Sequence, residues 1–287
     1  MNRFQRVIGG LVVAFGTWAT LTAQQAAPAA APQAQAATVE TAAQYQGAAA
    51  EDFLKKAKIV RVRPIGTGVT LPEKVTLQLD GVERFGAFKS IDEKRPGITQ
   101  FGTGAPEANF QDSWQLEIPA YVVDMTIGLG MVPATIERRV NNKIGSLQWW
   151  VTSMVPEAER AKQKLEPPDR EAWDREVLKM KLFDQLIYNV DRHANNILVT
   201  QDFHLRLIDH SRSFRSQKTL KNPELLTRFS KPLLEGLQRL TFEDLRRQTG
   251  KYLMDSQIRT LIQRRDAILA LAAKLVAEKG EAAVIYP

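Results

Sequence analysis

The stretch that most constrains the fold is Asn189-Val190-Asp191-Arg192-His193-Ala194-Asn195-Asn196-Ile197-Leu198-Val199, followed by Leu207-Ile208-Asp209-His210-Ser211. Upstream of it, residues 170–189 place Trp173, Val177, Met180, Leu182, Phe183, Leu186 and Ile187 at helical spacing, which predicts an amphipathic helix. Downstream, 197–200 and 205–208 read as two short apolar strands joined by Gln201-Asp202-Phe203. The most polar cluster in the chain therefore lies on a loop between a buried helix and a hairpin.

The rest of the chain orders itself around that loop. Alternating apolar and polar residues predict strands over Ile59–Ile65, Lys74–Leu79 and Phe85–Ile91, with Gly66-Thr67-Gly68 between the first two and an Asp80-Gly81 hairpin turn between the last two. A polar, Gly-rich stretch, 96–109, reads as irregular. A helix is expected over Glu117–Ile127, because Pro119 is tolerated only in a first turn and Gly128 closes the last one. Residues 131–139 and 145–151 read as two further strands, and 155–169 as a charged, Pro-bounded connector. Helices over 224–239, 242–248 and 255–279 complete the chain. Strands first and helices last predict an α+β, two-lobed layout.

With 287 residues and 44% hydrophobic content, the chain can build one large domain or two closely packed lobes. The net charge of +7 comes from scattered Lys and Arg with no accompanying aromatic-and-basic motif, so no nucleic-acid partner is expected. Without any cysteine there is no disulfide framework, and stability must come from packing. Arg3 and Arg6 precede an apolar run from Val7 to Ala23, the layout of a secretory signal that is either cleaved or kept as an anchor. The expected organisation is a signal or anchor over 1–23, a disordered Ala/Gln/Pro linker over 24–50, a β-rich N-lobe over 51–155 and a helical C-lobe over 156–287. That places the protein outside the cytoplasm: periplasmic, secreted or membrane-tethered, with membrane contact through the N-terminal segment.

The polar cluster has the residue types that phosphoryl transfer requires. One carboxylate orients the attacking hydroxyl, while an amide oxygen and a second carboxylate hold the Mg²⁺ that screens the phosphates. Asp191, Asn196 and Asp209 supply these types, with a loop between the first two long enough to turn both toward one cleft. The segments resemble the catalytic and metal-binding stretches of phosphatidylinositol 3-/4-kinases and of the secretory-pathway casein-kinase (Four-jointed-like) family, both atypical branches of the kinase fold. The resemblance covers about Ile59 to Phe214. It implies a protein-kinase-like fold with a small β-rich N-lobe and a helical C-lobe, which uses ATP with Mg²⁺ or Mn²⁺ on a hydroxyl acceptor that the sequence does not name. It further implies Asp191 as catalytic base, Asn196 and Asp209 as metal ligands, and Lys89 as the nucleotide-binding lysine with Glu117 as its partner. Gly66, Thr67 and Gly68 would form the loop over the phosphates, and Gly145–Trp150 the strand entering the adenine hinge. His193 either positions the loop by hydrogen bonding or is structural.

Other readings stand beside these. Lys89 and Glu117 could be solvated charges, Gly66 and Gly68 a plain turn, and Trp149 and Trp150 simple packing. His210-Ser211 follows Asp209 where lipid kinases carry Phe-Gly and the secretory kinases Asn-Gly, which motivates a catalytically silent binding or scaffold module as the alternative function. The grouping of His193, His204 and His210 beside Asp191 and Asp209 motivates a metal-dependent hydrolase as a third.

Overall fold

A five-stranded antiparallel sheet carries one side of the molecule. The computed structural model describes residues 42–66, 71–100 and 106–287; the expected signal over 1–23, residues 24–41 of the expected linker, and Thr67 and Gly68 lie outside the described residues. Two helices come first, α1 (Ala42–Tyr45) and α2 (Gly47–Lys56). The strands β1 (Lys58–Pro64), β2 (Glu73–Leu79) and β3 (Val82–Lys89) then run as a meander, joined by a separate hairpin, β4 (Asp92–Thr99) and β5 (Glu107–Ser113), to α3 (Glu117–Ile127). With β6 (Thr135–Val140) and β7 (Lys143–Trp149) the large sheet has the order β1-β2-β3-β7-β6.

The sheet's two hairpin turns follow from local chemistry. Asp80 and Gly81 both take positive φ, 48° and 77°, as do Asn141 and Asn142 at 46° and 65°, the pairing that a two-residue turn needs to match strand twist. Along β2 and β3 the side chains divide by period two. Val75, Leu77, Gly86 and Phe88 are buried on one face, whereas Lys74, Thr76, Phe85, Ala87 and Lys89 lie half-open on the other. Helix α2 covers the closed face through buried Ala50 and Leu54, with Phe53 edge-on to Trp149 at 5.5 Å between ring centroids. Burying each large apolar side chain of this kind contributes about 1.5–3 kcal/mol.

The helical lobe is built from β8 (Met154–Pro156), α4 (Glu157–Lys162), α5 (Arg170–Ile187), β9 (Ile197–Thr200), β10 (Leu205–Leu207), β11 (Phe229–Ser230), α6 (Lys231–Arg239), α7 (Phe242–Thr249), α8 (Asp255–Lys279), α9 (Glu281–Val284) and β12 (Ile285–Tyr286). Helix α5 starts at an Asp169 cap that accepts from Ala172 N and buries Trp173, Met180, Leu182, Phe183, Leu186 and Ile187. The order β10-β9-β8 makes a small sheet beneath it.

Helix α3 runs over the expected 117–127, with Pro119 in its first turn and Gly128 at φ 73° closing it. Other expectations need correction. Residues 42–50, read as part of a disordered linker, are helical, and Tyr45 and Ala50 sit in the core. Alanine is the best helix former, so a composition that looks like a tether also suits a helix once Tyr45 and Leu54 have a sheet to pack on. The stretch 96–109 was read as irregular, yet 96–99 and 107–109 belong to β4 and β5, whose charged and polar residues carry no apolar alternation to reveal them; 101–105 lie outside the described residues. The connector 155–169 contains α4, and the helix expected from 224 starts at Lys231, after β11 pairs with β12.

Candidate functional site

Lys89 ends β3 on the half-open face of the sheet, and Glu117 opens α3 opposite it. Lys89 Nζ lies 2.6 Å from Glu117 Oε1 and 2.7 Å from Asp209 Oδ1. The side chains of Lys89 and Glu117 are 13% and 3% exposed, so neither is the solvated surface charge of the plainer reading. Burial penalises charge on both. For Lys89 the two carboxylates outweigh that penalty and raise it above the ordinary lysine value. For Glu117 the Lys89 ammonium and a hydrogen bond from His210 outweigh it, and the carboxyl is held well below the usual range. Pro119 at the edge of α3 does not keep Glu117 from this pairing, because a first-turn side chain needs only to face the sheet.

Gly145 shows how closely β3 and β7 must approach here. A Cβ at that position would lie 2.1 Å from the Lys89 carbonyl oxygen and 2.7 Å from the Phe88 ring, so only glycine lets the strand carrying Lys89 lie where it does.

The loop after α5 is organised by Arg192. Its guanidinium grips Asp184 through Nε at 3.0 Å, donates from Nη1 to the carbonyls of Asn196 and Ile208, both at 2.8 Å, and reaches His210 Nε2 at 2.9 Å. Asn196 Nδ2 donates to the Asp191 carbonyl at 3.2 Å, and Ile208 N donates to the Asn196 carbonyl at 3.2 Å. These bonds bring the backbones carrying Asp191, Asn196 and Asp209 into one assembly. Asp209 takes φ 60°, a left-handed conformation uncommon outside glycine, and its Oδ1 accepts from Ser211 Oγ at 3.0 Å as well as from Lys89. His193 is exposed, and its Nδ1 accepts from Asn195 N at 3.3 Å, which shapes the turn leading to Asn196.

A divalent cation suits these donors. The Asn196 amide nitrogen is engaged on the Asp191 carbonyl, leaving its oxygen as the group's acceptor, and the Asp209 carboxylate is 30% exposed; both are hard oxygen ligands. The three histidines, by contrast, part. His204 is 54% exposed beside Glu176 and Asp202 on the β9–β10 hairpin, whereas His210 is fully buried edge-on to Phe183. Among the described residues no group of three or more His, Asp or Glu side chains is placed to hold a metal.

Gly66, at φ 77°, stands at the start of the loop between β1 and β2, whose base is closed by Ile65 N donating to the Pro72 carbonyl at 2.9 Å. Trp149 is buried packing against Phe53, as the plainer reading had it.

Several groups around the site carry no role in the sequence reading. The β4–β5 hairpin runs against the segment after Asp209. Ser113 N donates to the Ser211 carbonyl at 3.0 Å, Arg215 donates to the Asn109 carbonyl at 2.7 Å, and Glu107 pairs with Arg212 and Arg215. Arg212 Nη1 also lies 3.4 Å from Asp191 Oδ1. Burial pushes the nearby Asp112 carboxyl up. Arg192 stood inside the motif, but nothing in its spacing announces four different partners.

The family model described as phosphatidylinositol 3- and 4-kinase matches residues 88–261, more than half the chain. Among solved structures the chain is similar to hydra Fam20 with sugar, at 13% identity and a TM-score of 0.62 over 83% of this chain and 91% of that one. It is also similar to the Golgi casein kinase, at 14% identity and a TM-score of 0.58 over 82% and 78%. Both likenesses are to the two-lobed kinase fold. No curated protein sequence matches the chain.

Proposed function

The chain belongs to the phosphatidylinositol 3- and 4-kinase family, and from that premise we propose that it is an atypical kinase transferring the γ-phosphoryl group of a nucleoside triphosphate, ATP being the donor the family implies, to a hydroxyl of a protein, sugar or lipid. The observation that carries the reading is the buried Lys89 ammonium held between Glu117 and Asp209. A cation fixed on the open face of a sheet, beside a partly exposed carboxylate, is what a polyphosphate needs in order to be oriented. Asn196 and Asp209 would hold Mg²⁺ or Mn²⁺, which when bound would screen the phosphate charge. Lys89 orients the phosphates, Glu117 fixes Lys89, and Asp191 accepts the proton of the attacking hydroxyl. Residues 1–23 serve as export signal or anchor in this proposal.

A second reading, a silent kinase-like binding module, has one observation in its favour. The segment after Asp209 is His210-Ser211, and Ser211, which stands where the related kinases carry glycine, is buried and donates from Oγ to Asp209 Oδ1 at 3.0 Å, so a flexible position is replaced by an anchored side chain. Thermal unfolding of the full chain with and without nucleotide and Mg²⁺ separates the two. The kinase reading expects a nucleotide shift that requires the metal and disappears in Asp209→Ala; the absence of any shift with any nucleotide overturns it in favour of the module.

A further inference from the structure

The open face of the sheet continues past Lys89. In β3 the residues two and four positions before it, Ala87 and Phe85, share its face, and Lys74 of β2 is paired directly across from Ala87. Each two residues of strand advance about 7 Å. A nucleotide with its phosphates at Lys89 that runs along this face toward the interlobe crossing, where Trp150 N donates to the Phe85 carbonyl and the chain leaves β7 for the helical lobe, would place its base near the level of Ala87 and Phe85.

At that level stands the ammonium of Lys74. Lys74 Nζ lies 4.3 Å from the ring centroid of Phe85 and 4.3 Å from that of Trp150, held by two aromatic faces. Among the described residues no carboxylate lies within ion-pairing distance of it. An ammonium has three donors and accepts nothing, so its hydrogen-bonding capacity is open to whatever base enters. At the 6-position adenine presents a donor amino group, whereas guanine and hypoxanthine present a carbonyl oxygen beside N7, the pair of acceptors that lysine reads on a guanine edge.

Resting on the reading that the Lys89 cleft holds a nucleotide, we infer that Lys74 selects the base, and that the site takes a 6-oxopurine nucleoside triphosphate in preference to ATP. Lys74 is set two residues along the face from Lys89, and its contacts with Phe85 and Trp150 turn it toward the interlobe crossing.

Calorimetric titration of the full chain with GTP, ITP and ATP, each with Mg²⁺, tests this without any acceptor. ITP carries the 6-carbonyl but not the 2-amino group of GTP, so it isolates the position concerned. GTP and ITP should bind about tenfold more tightly than ATP. Lys74→Met, which keeps the stem and removes the ammonium, should bring the affinities of the three nucleotides within about twofold of one another. Equal or tighter binding of ATP by the wild type, tight GTP with weak ITP, or a preference that survives Lys74→Met each overturns the assignment while leaving the nucleotide site intact. Failure of all three nucleotides to bind overturns the inference together with the kinase reading.

Discussion

Arg192 Nη2 lies 2.9 Å from His210 Nε2, and because a guanidinium only donates, the imidazole accepts at Nε2 and carries its proton on Nδ1, 3.6 Å from Glu117 Oε2. Burial, reinforced by the Arg192 charge, pushes His210 below the ordinary histidine value and keeps it neutral against the pull of Glu117. The loop after α5 is thus joined through one buried ring to the helix that positions Lys89. Arg192→Ala removes the guanidinium's bonds to Asp184, Asn196, Ile208 and His210 and leaves a nearly buried Asp184 carboxylate without its ionic partner, with only Asn189 Nδ2 donating to it. Its unfolding free energy in urea should fall by about 3–5 kcal/mol. Arg192→Lys should recover only a fraction, since an ammonium cannot span Asp184, two carbonyls and His210 together. A wild-type urea midpoint for Arg192→Ala would show that the junction carries no stability.

The Lys89–Glu117 pair makes stability depend on acid in a defined direction. Glu117 is held below its unfolded value, so its contribution is fully present above the ordinary carboxylate range, around pH 4.3, and is lost as pH falls through the folded value. Melting temperatures measured downward from neutral pH should therefore drop as carboxylates protonate, and Glu117→Gln should remove part of that dependence. At neutral pH the same substitution should cost about 3 kcal/mol, because Lys89 keeps only Asp209. Parallel melting curves across the acid range for wild type and variant would contradict this account.

Much of this site was legible because its parts are punctuated locally. Pro119 and Gly128 mark both ends of α3, and Asp80-Gly81 marks the turn that sets the register of β3; the face of Lys89 was not marked, because Phe85-Gly86-Ala87-Phe88 before it is apolar on both sides. The partner set of Arg192 was not legible, because which groups a guanidinium reaches depends on where α5 and the segment before Asp209 meet in space. The β4–β5 hairpin escaped for a different reason. Its β4 strand is mostly exposed and what β5 buries is largely polar, Asp112 and Ser113 beside Phe110, so it shows no apolar period, and its contacts with Ser211, Arg212 and Arg215 span about a hundred positions of sequence. The helices at 42–56 were hidden in part by the alanine-rich composition that precedes them.

Asp191→Asn separates binding from chemistry. The amide preserves the shape of the side chain beside Arg212 but cannot take a proton from an attacking hydroxyl. Nucleotide affinity should stay within about twofold, whereas the rate of γ-phosphoryl transfer, measured with water as the acceptor, should fall by about 10²–10⁴-fold. An unchanged rate would remove Asp191 from the role of base.

Removal of residues 42–56 should unfold the sheet rather than trim a tether. Ala50 and Leu54 of α2 lie buried on the closed face, Phe53 packs edge-on against Trp149, and the Tyr45 carbonyl accepts from Ala134 N. Arg138 of β6 donates to the carbonyls of Leu54 and Ala57, so the end of α2 is tied to the sheet's far strand as well. Loss of three or four buried side chains at about 2–4 kcal/mol each exceeds the whole stability of an ordinary domain. A chain beginning at residue 57 should therefore lack a cooperative unfolding transition, while one beginning at residue 42 should retain it. Cooperative melting of the shorter chain at the wild-type temperature would show that the helix is dispensable to the sheet.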